Sequence, residues 1–143
     1  MRDERGAAIR IALRSKGRIV FIGLGSVVAV KAAGNHALLE AEEGSYSVRE
    51  SISEMAARLR DYGFIQIHRS VLVNSAFVEA IEPRVTGAYI LRMKGGKEYD
   101  VSRSFKSNLA LLAQVWIGNG GPGKPELHAV EVRVARRSGP PFT

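Results

Sequence analysis

A mainly β fold, built as meandering antiparallel strands with two short helices, is what this 143-residue sequence predicts. Three observations carry that expectation. Short β-branched runs recur along the chain, Gly- and Asn-containing turn segments divide them, and apolar residues fall at helical spacing in two places only.

The elements follow in order. Ile9, Ile11 and Leu13 alternate with Arg10, Ala12 and Arg14, the period of a strand with one wet face. Ser15-Lys16-Gly17 is a turn, and the runs Ile19 to Ile22 and Val27 to Val30, divided by Gly23 and Gly25, read as short buried strands. Gly34-Asn35 turns into a strand over Ala37 to Ala41, and Glu43-Gly44-Ser45 turns into Tyr46-Ser47-Val48. The period then changes. Ile52, Met55, Ala56 and Leu59 lie on one helical face, and Ser51 with Glu54 forms a Ser-x-x-Glu capping box that satisfies two orphan N-terminal donors. Tyr62-Gly63 ends this helix. Strands resume over Phe64 to Ile67, Phe77 to Ile81, Ala88 to Met93 and Glu98 to Val101, with turn chemistry at Pro83, Thr86-Gly87 and Gly95-Gly96. After Ser102, read as an N-cap, Phe105, Leu109, Leu112 and Trp116 mark one face of a second helix that Gly118 ends. Three segments result: an N-terminal extension (1–17) with a strand, a β-rich domain (18–117) and a Gly/Pro-rich basic tail (118–143) expected to be flexible, where Val130, Val132 and Val134 alternate with charges.

Composition narrows the function. There is no cysteine, which excludes a disulfide scaffold, thiolate zinc, iron–sulfur clusters and a Cys nucleophile. The net charge is +7, of which +2 lies in residues 118–143, so the β-rich part is basic in its own right and fits a polyanionic partner. The longest weakly polar run, Ile19 to Val30, is far short of the roughly 20 residues a spanning helix needs, so no membrane span is expected. A secretory reading, with Arg14, Lys16 and Arg18 ahead of that run and Ala32-Ala33-Gly34 after it, fails because the leading region is long and carries Asp3 and Glu4. A cytoplasmic location is the expectation.

Catalytic signatures are few. Gly23-x-Gly25 has Val28 where a dinucleotide fingerprint needs its third glycine, so a turn is the better reading. His36, His68 and His128 lie too far apart for a metal motif, and no P-loop or nucleophile elbow occurs, so neither metal, cofactor nor catalytic residue is expected. Polar density instead gathers at strand ends, in Gly34-Asn35-His36, His68-Arg69-Ser70 and Ser102-Arg103-Ser104. Such residues commonly cap turns and solubilise loops. Two of these loops also carry Arg, whose planar fork pairs bidentately with guanine or phosphate.

The ordered series Ala33-Gly34-Asn35-His36, Tyr46-Ser47-Val48-Arg49, Ala57-Arg58-Leu59, the block from Phe64 to Asn74 and Val101-Ser102-Arg103-Ser104-Phe105 resembles the LytTR DNA-binding domain of bacterial transcription regulators, a response-regulator output domain. The likeness covers about residues 18–117, and the block Phe64-x-x-Ile67-His68-Arg69-Ser70-x-x-Val73-Asn74 is its most specific part. The resemblance implies small antiparallel sheets with short helices, and sequence-specific binding of double-stranded DNA with loops in successive major grooves. It implies base contacts from His36, Arg69 and Arg103, with His36 at a position where the family often carries another residue. Lys31, Asn35, Arg49 and Lys106 are candidates for phosphate or supporting contacts, which position a protein without reading sequence. His68 and Asn74 read as structural, a strand-end histidine and a turn-satisfying amide. Strand parity puts Arg69 on the face of Ile65 and Ile67, so the strand must end or twist near residue 68 for Arg69 to reach solvent.

Two rivals stay open. A basic β module could bind RNA or protein, although aromatic residues make up only 7% and supply base stacking poorly. A nuclease using His68 and Asn74 lacks a carboxylate cluster beside them. Only 17 residues precede the likeness, too few for a receiver domain, so the expectation is a free-standing regulator, or a fragment of a longer one. Repeated DNA sites, a homodimer on DNA and a regulatory protein partner are further expectations.

Overall fold

The computed structural model describes residues 8–118. The expectations for the extension before Ala8 and for the tail beyond Gly118, including the alternating valines, lie outside the described residues. The described chain is mainly β and divides into two compact units, one running to Gln66 and including Ser70–Asn74, the other made of Ile67–Arg69 and the chain from Ser75.

In the first unit, β1 (Arg10–Ser15) and β2 (Arg18–Gly23) form a two-stranded antiparallel sheet in register Arg10↔Gly23 to Ser15↔Arg18. The turn between them has Lys16 at φ 53° and Gly17 at φ 81°, the two left-handed residues of a type I′ hairpin, whose twist matches that of its strands. The reading of Ile19 to Ile22 as a buried strand is corrected. Ile19 is 50% and Phe21 59% exposed, because a two-stranded ribbon has only one face to bury, and Ile22 takes it. Arg10 lies 5.1 Å over the exposed Phe21 ring.

A five-stranded antiparallel sheet follows, in the order β5-β4-β3-β7-β6, with β3 (Val27–Ala33), β4 (His36–Ala41), β5 (Gly44–Val48), β6 (Phe64–His68) and β7 (Val71–Asn74). The strand β7 has no counterpart in the sequence reading. It pairs with β3 through Ala29↔Val73, Val30↔Leu72 and Lys31↔Val71. The turn expected at Glu43-Gly44-Ser45 comes earlier, at Glu42-Glu43, so that Gly44 and Ser45 already belong to β5.

The helix α1 (Ile52–Leu59) starts where its sequence says it should. Ser51 Oγ accepts from the Glu54 N–H at 3.1 Å, and Glu54 Oε1 accepts from the Ser51 N–H at 3.0 Å. Its buried residues are Ile52, Met55 and Leu59, which join Leu13, Ile22, Val30, Leu39, Phe64 and Leu72 in the core of this unit. One 3₁₀ turn later Gly63, at φ 88°, closes the helical segment. Asn74 is fully buried at the end of β7, and its Nδ2 donates to the Val27 carbonyl at 2.8 Å, pinning β7 to the start of β3.

In the second unit, β8 (Val78–Pro83), β9 (Tyr89–Met93) and β10 (Glu98–Val101) form a three-stranded antiparallel sheet in the order β10-β9-β8. Tyr89, Leu91 and Met93 of the central strand are buried, alternate residues of its inward face. Arg92 forks onto Glu82, with Nε and Nη2 each 3.1 Å from a carboxylate oxygen, and Nη2 is 3.3 Å from Glu98. The hydrogen bond to Glu82, then its charge, raise the Arg92 pKa above its ordinary value. The second helix departs from expectation. It is a ten-residue 3₁₀ helix, Arg103–Leu112, and Trp116 lies beyond it, its Nε1 donating to the Ala113 carbonyl at 3.1 Å.

Candidate nucleic-acid interface

Each unit presents its own cluster of the expected side chains. In the first unit, β3 and β4 are joined by the two-residue turn Gly34-Asn35, with Ala33 paired to His36. Gly34 takes φ 65°, a left-handed conformation that costs glycine little. This turn sets Asn35 and His36 at the sheet's end. His36 Nδ1 lies 2.7 Å from Asn35 Oδ1, so the neighbouring amide orients the ring. Asn35 is exposed and His36 half-buried.

The same end of the sheet also holds a basic side chain. Val48 pairs with Ala37 and ends β5, so Arg49 follows at the strand end where His36 opens β4, and it is exposed. Lys31 lies further along β3 and its Nζ is 3.1 Å from Glu40, which neutralises part of its charge. Ala32 on β3 donates its N–H to the Ser70 carbonyl at 2.9 Å, anchoring the residue that follows Arg69.

In the second unit, β6 stops at His68, and Arg69 stands exposed in the turn before β7. This resolves the parity conflict in the sequence: the strand ends one residue before Arg69, so that residue is not committed to the buried face of Ile65 and Ile67. The Ser102 N–H donates to the Ile67 carbonyl at 2.9 Å, which ties the segment carrying Arg69 to the segment carrying Arg103.

Arg103 is exposed at the first position of the 3₁₀ helix. Ser102 stands at the N-cap with extended backbone, as expected, but its side chain makes no cap hydrogen bond. Its backbone does the positioning instead, donating to Ile67 and accepting from the Phe105 N–H at 2.9 Å. Three residues per turn place Arg103, Lys106, Leu109 and Leu112 along one ridge. Leu109 is fully buried, and Lys106 Nζ sits 5.2 Å over the buried Tyr89 ring. The arrangement offers two guanidiniums from joined segments and a cation close behind one of them, a set that can donate several hydrogen bonds to an anionic or acceptor-rich surface.

The nuclease reading loses one of its residues here. The Asn74 amide is fully buried and donates to Val27, so it has no access to a substrate. Among the described residues, no group of three or more His, Asp or Glu side chains could hold a metal ion, and no helix is long and apolar enough to cross a membrane. Basic side chains that the sequence reading did not single out, Arg10, Arg14 and Arg58, are also exposed in the first unit. Their signal was present in the alternation of Arg10 and Arg14 with Ile11 and Leu13.

Comparison with known proteins gives the family and the fold. Residues 17–114 match the family model described as the LytTr DNA-binding domain. The chain is 27% identical over 106 residues to the sensory transduction protein LytT of Bacillus subtilis, and 23% identical over 107 residues to the sensory transduction protein LytR of Streptococcus mutans. These alignments cover 74% and 75% of this chain, which spans only 44% and 43% of the two relatives. A solved LytTr DNA-binding domain from Bacillus cereus superposes with a TM-score of 0.63 at 26% identity, covering 75% of this chain and 97% of that one. With its ordered motifs, its small antiparallel sheets and a family match across most of its length, the chain belongs to the LytTR family of DNA-binding domains.

Proposed function

We propose that this chain is a sequence-specific transcription regulator that inserts loops into the major groove of double-stranded DNA. The observation that carries the reading is the hydrogen bond from Ser102 to Ile67, which holds the Arg69 turn and the Arg103 segment together on one unit while both guanidiniums stay exposed. Arg69 and Arg103 each donate two hydrogen bonds to guanine O6 and N7, and His36, oriented by Asn35, donates to a base edge. Lys31, Arg49 and Lys106 meet phosphates, fixing register without reading sequence. Binding at repeated sites, as a homodimer on DNA, and control by a regulatory protein are part of the same proposal.

The test is a mobility shift on duplexes selected from a random pool. Arg69→Ala and Arg103→Ala should each cost about 1–3 kcal/mol on the selected site and relax preference at one base pair. Lys106→Ala should weaken all sequences alike and reduce the salt slope by about one. If both arginine variants keep the full sequence preference, the base-reading assignment fails.

A further inference from the structure

We propose that the edge of β1 opposite β2, with the groove beside it, is a docking site for an extended acidic segment of a partner protein, which adds as a third strand. This goes beyond the DNA reading and rests on other residues, except that Arg49 lines the groove.

The edge comes first. Ser15 and Arg18 flank a two-residue turn and are a hydrogen-bonded pair, so residues 9, 11, 13 and 15 direct their backbone groups at β2. The Leu24 N–H donating to the Ile9 carbonyl at 2.9 Å keeps that parity. The N–H and C=O groups of Arg10, Ala12 and Arg14 therefore point off the other side. β1 has β2 as its one sheet neighbour among the described residues. A strand edge that keeps alternating donors and acceptors is a template for another chain.

The groove comes second. Its volume is about 480 Å³, and every residue from Ile9 to Arg14 lines it. Side chains of a strand alternate between faces, so six consecutive residues meet one groove only along an edge. The opposite wall is α1 and the chain leaving β5. Leu13, Val48, Met55 and Leu59 supply apolar lining, which suits the inward side chains of an alternating segment.

Charge selects the occupant. Arg10, Arg14, Arg49 and Arg58 line the groove against the single carboxylate Glu50, whose Oε2 accepts from Arg58 at 3.1 Å. Glu50 Oε1 is buried with no hydrogen-bond partner, an acceptor that an incoming N–H would satisfy. A polypeptide brings the donors and acceptors the edge needs, with carboxylates for the arginines. Phosphates of a duplex only accept, so they match half of such a ladder.

The probe is a short fluorescein-labelled peptide of alternating glutamate and valine, compared with one of alternating lysine and valine, on the full chain. Anisotropy should show binding of the glutamate peptide alone, and hydrogen exchange at the Arg10, Ala12 and Arg14 amides should slow. Ala12→Pro removes an N–H directed off that edge and leaves the β1–β2 ladder intact, so it should weaken binding about tenfold. The paired change Arg10→Glu with Arg14→Glu, at exposed positions, should shift preference to the lysine peptide. Undiminished binding by the proline variant, unchanged exchange at those amides, or an unchanged preference in the charge-swapped chain would each overturn the proposal. So would a random-sequence duplex that slows the same amides, because the groove would then be a phosphate surface.

Discussion

Replacing Asn74 separates what holds this domain together from what meets DNA, although Asn74 sits in the most specific block of the motif. Its side chain is fully buried, and Nδ2 reaches the carbonyl of Val27, itself fully buried, at 2.8 Å. Asn74→Ala deprives that carbonyl of a donor with no water to replace it, which costs about 1–3 kcal/mol, and the lost side-chain packing puts the total near the upper end. At roughly 4 °C per kcal/mol for a chain of this size, melting should fall by about 10 °C. Asn74→Asp keeps the shape but sets a carboxylate against the carbonyl. Burial lifts the folded-state pKa of the new carboxyl above its unfolded value of about 3.9, so the folded state binds the extra proton between those two values. Stability is therefore retained below about pH 3.9 and falls as pH rises through the folded value, by about 1.4 kcal/mol for each unit of separation. Calorimetric melts at several pH values read both variants, and mobility shifts below the melting point read DNA preference. Asn74→Ala should keep its base discrimination. A melt within about 2 °C of the parent, or an Asn74→Asp variant whose loss does not shrink on acidification, would refute the assignment.

Other outcomes follow from local geometry. Ser51→Ala removes half of the capping box and should cost about 1 kcal/mol in urea unfolding, because the Glu54 N–H loses its acceptor. Gly34→Ala should cost about 1–2 kcal/mol through backbone strain alone, since φ is 65° and an added Cβ meets nothing within 4 Å; Gly34→Asn should cost less. Arg92→Ala should lower the melting temperature only slightly, a loss that shrinks in high salt, because the fork onto Glu82 and Glu98 is solvent-exposed. Melts with and without added salt check it.

Turn and cap chemistry made much of this fold readable, because those signals are local. The Ser51/Glu54 box, Gly63 and Gly34-Asn35 each occupy the conformation their residue type favours. Burial was harder to read. Ile19 and Phe21 have the composition of a core strand, yet only the number of strands in the sheet decides whether a second face is covered. The strand β7 carries little local signal, because Val71–Asn74 is four residues long and follows Arg69-Ser70, where neither Gly nor Pro marks the turn. In the last helix the spacing of Phe105, Leu109, Leu112 and Trp116 assumes α winding; with three residues per turn Phe105 and Leu109 no longer share a face, Leu109 alone is buried, and Trp116 lies beyond the helix. At the candidate interface, the motif order points to Arg69 and Arg103, whereas the bond between their segments is a main-chain contact between residues 67 and 102, which no side-chain pattern encodes.

The winding of the final helix has a consequence for reach. At about 2.0 Å of rise per residue, ten residues extend roughly 20 Å, against about 15 Å for the same residues as an α-helix. Relaxing to α would draw the Leu112 end back by about 5 Å, away from Val78 and Ile81, with which it lines a groove. It would also turn Lys106 out of line with Arg103 by roughly 60°. The 3₁₀ winding thus keeps Arg103 and Lys106 in line one turn apart, while Leu109 further along the same side is buried.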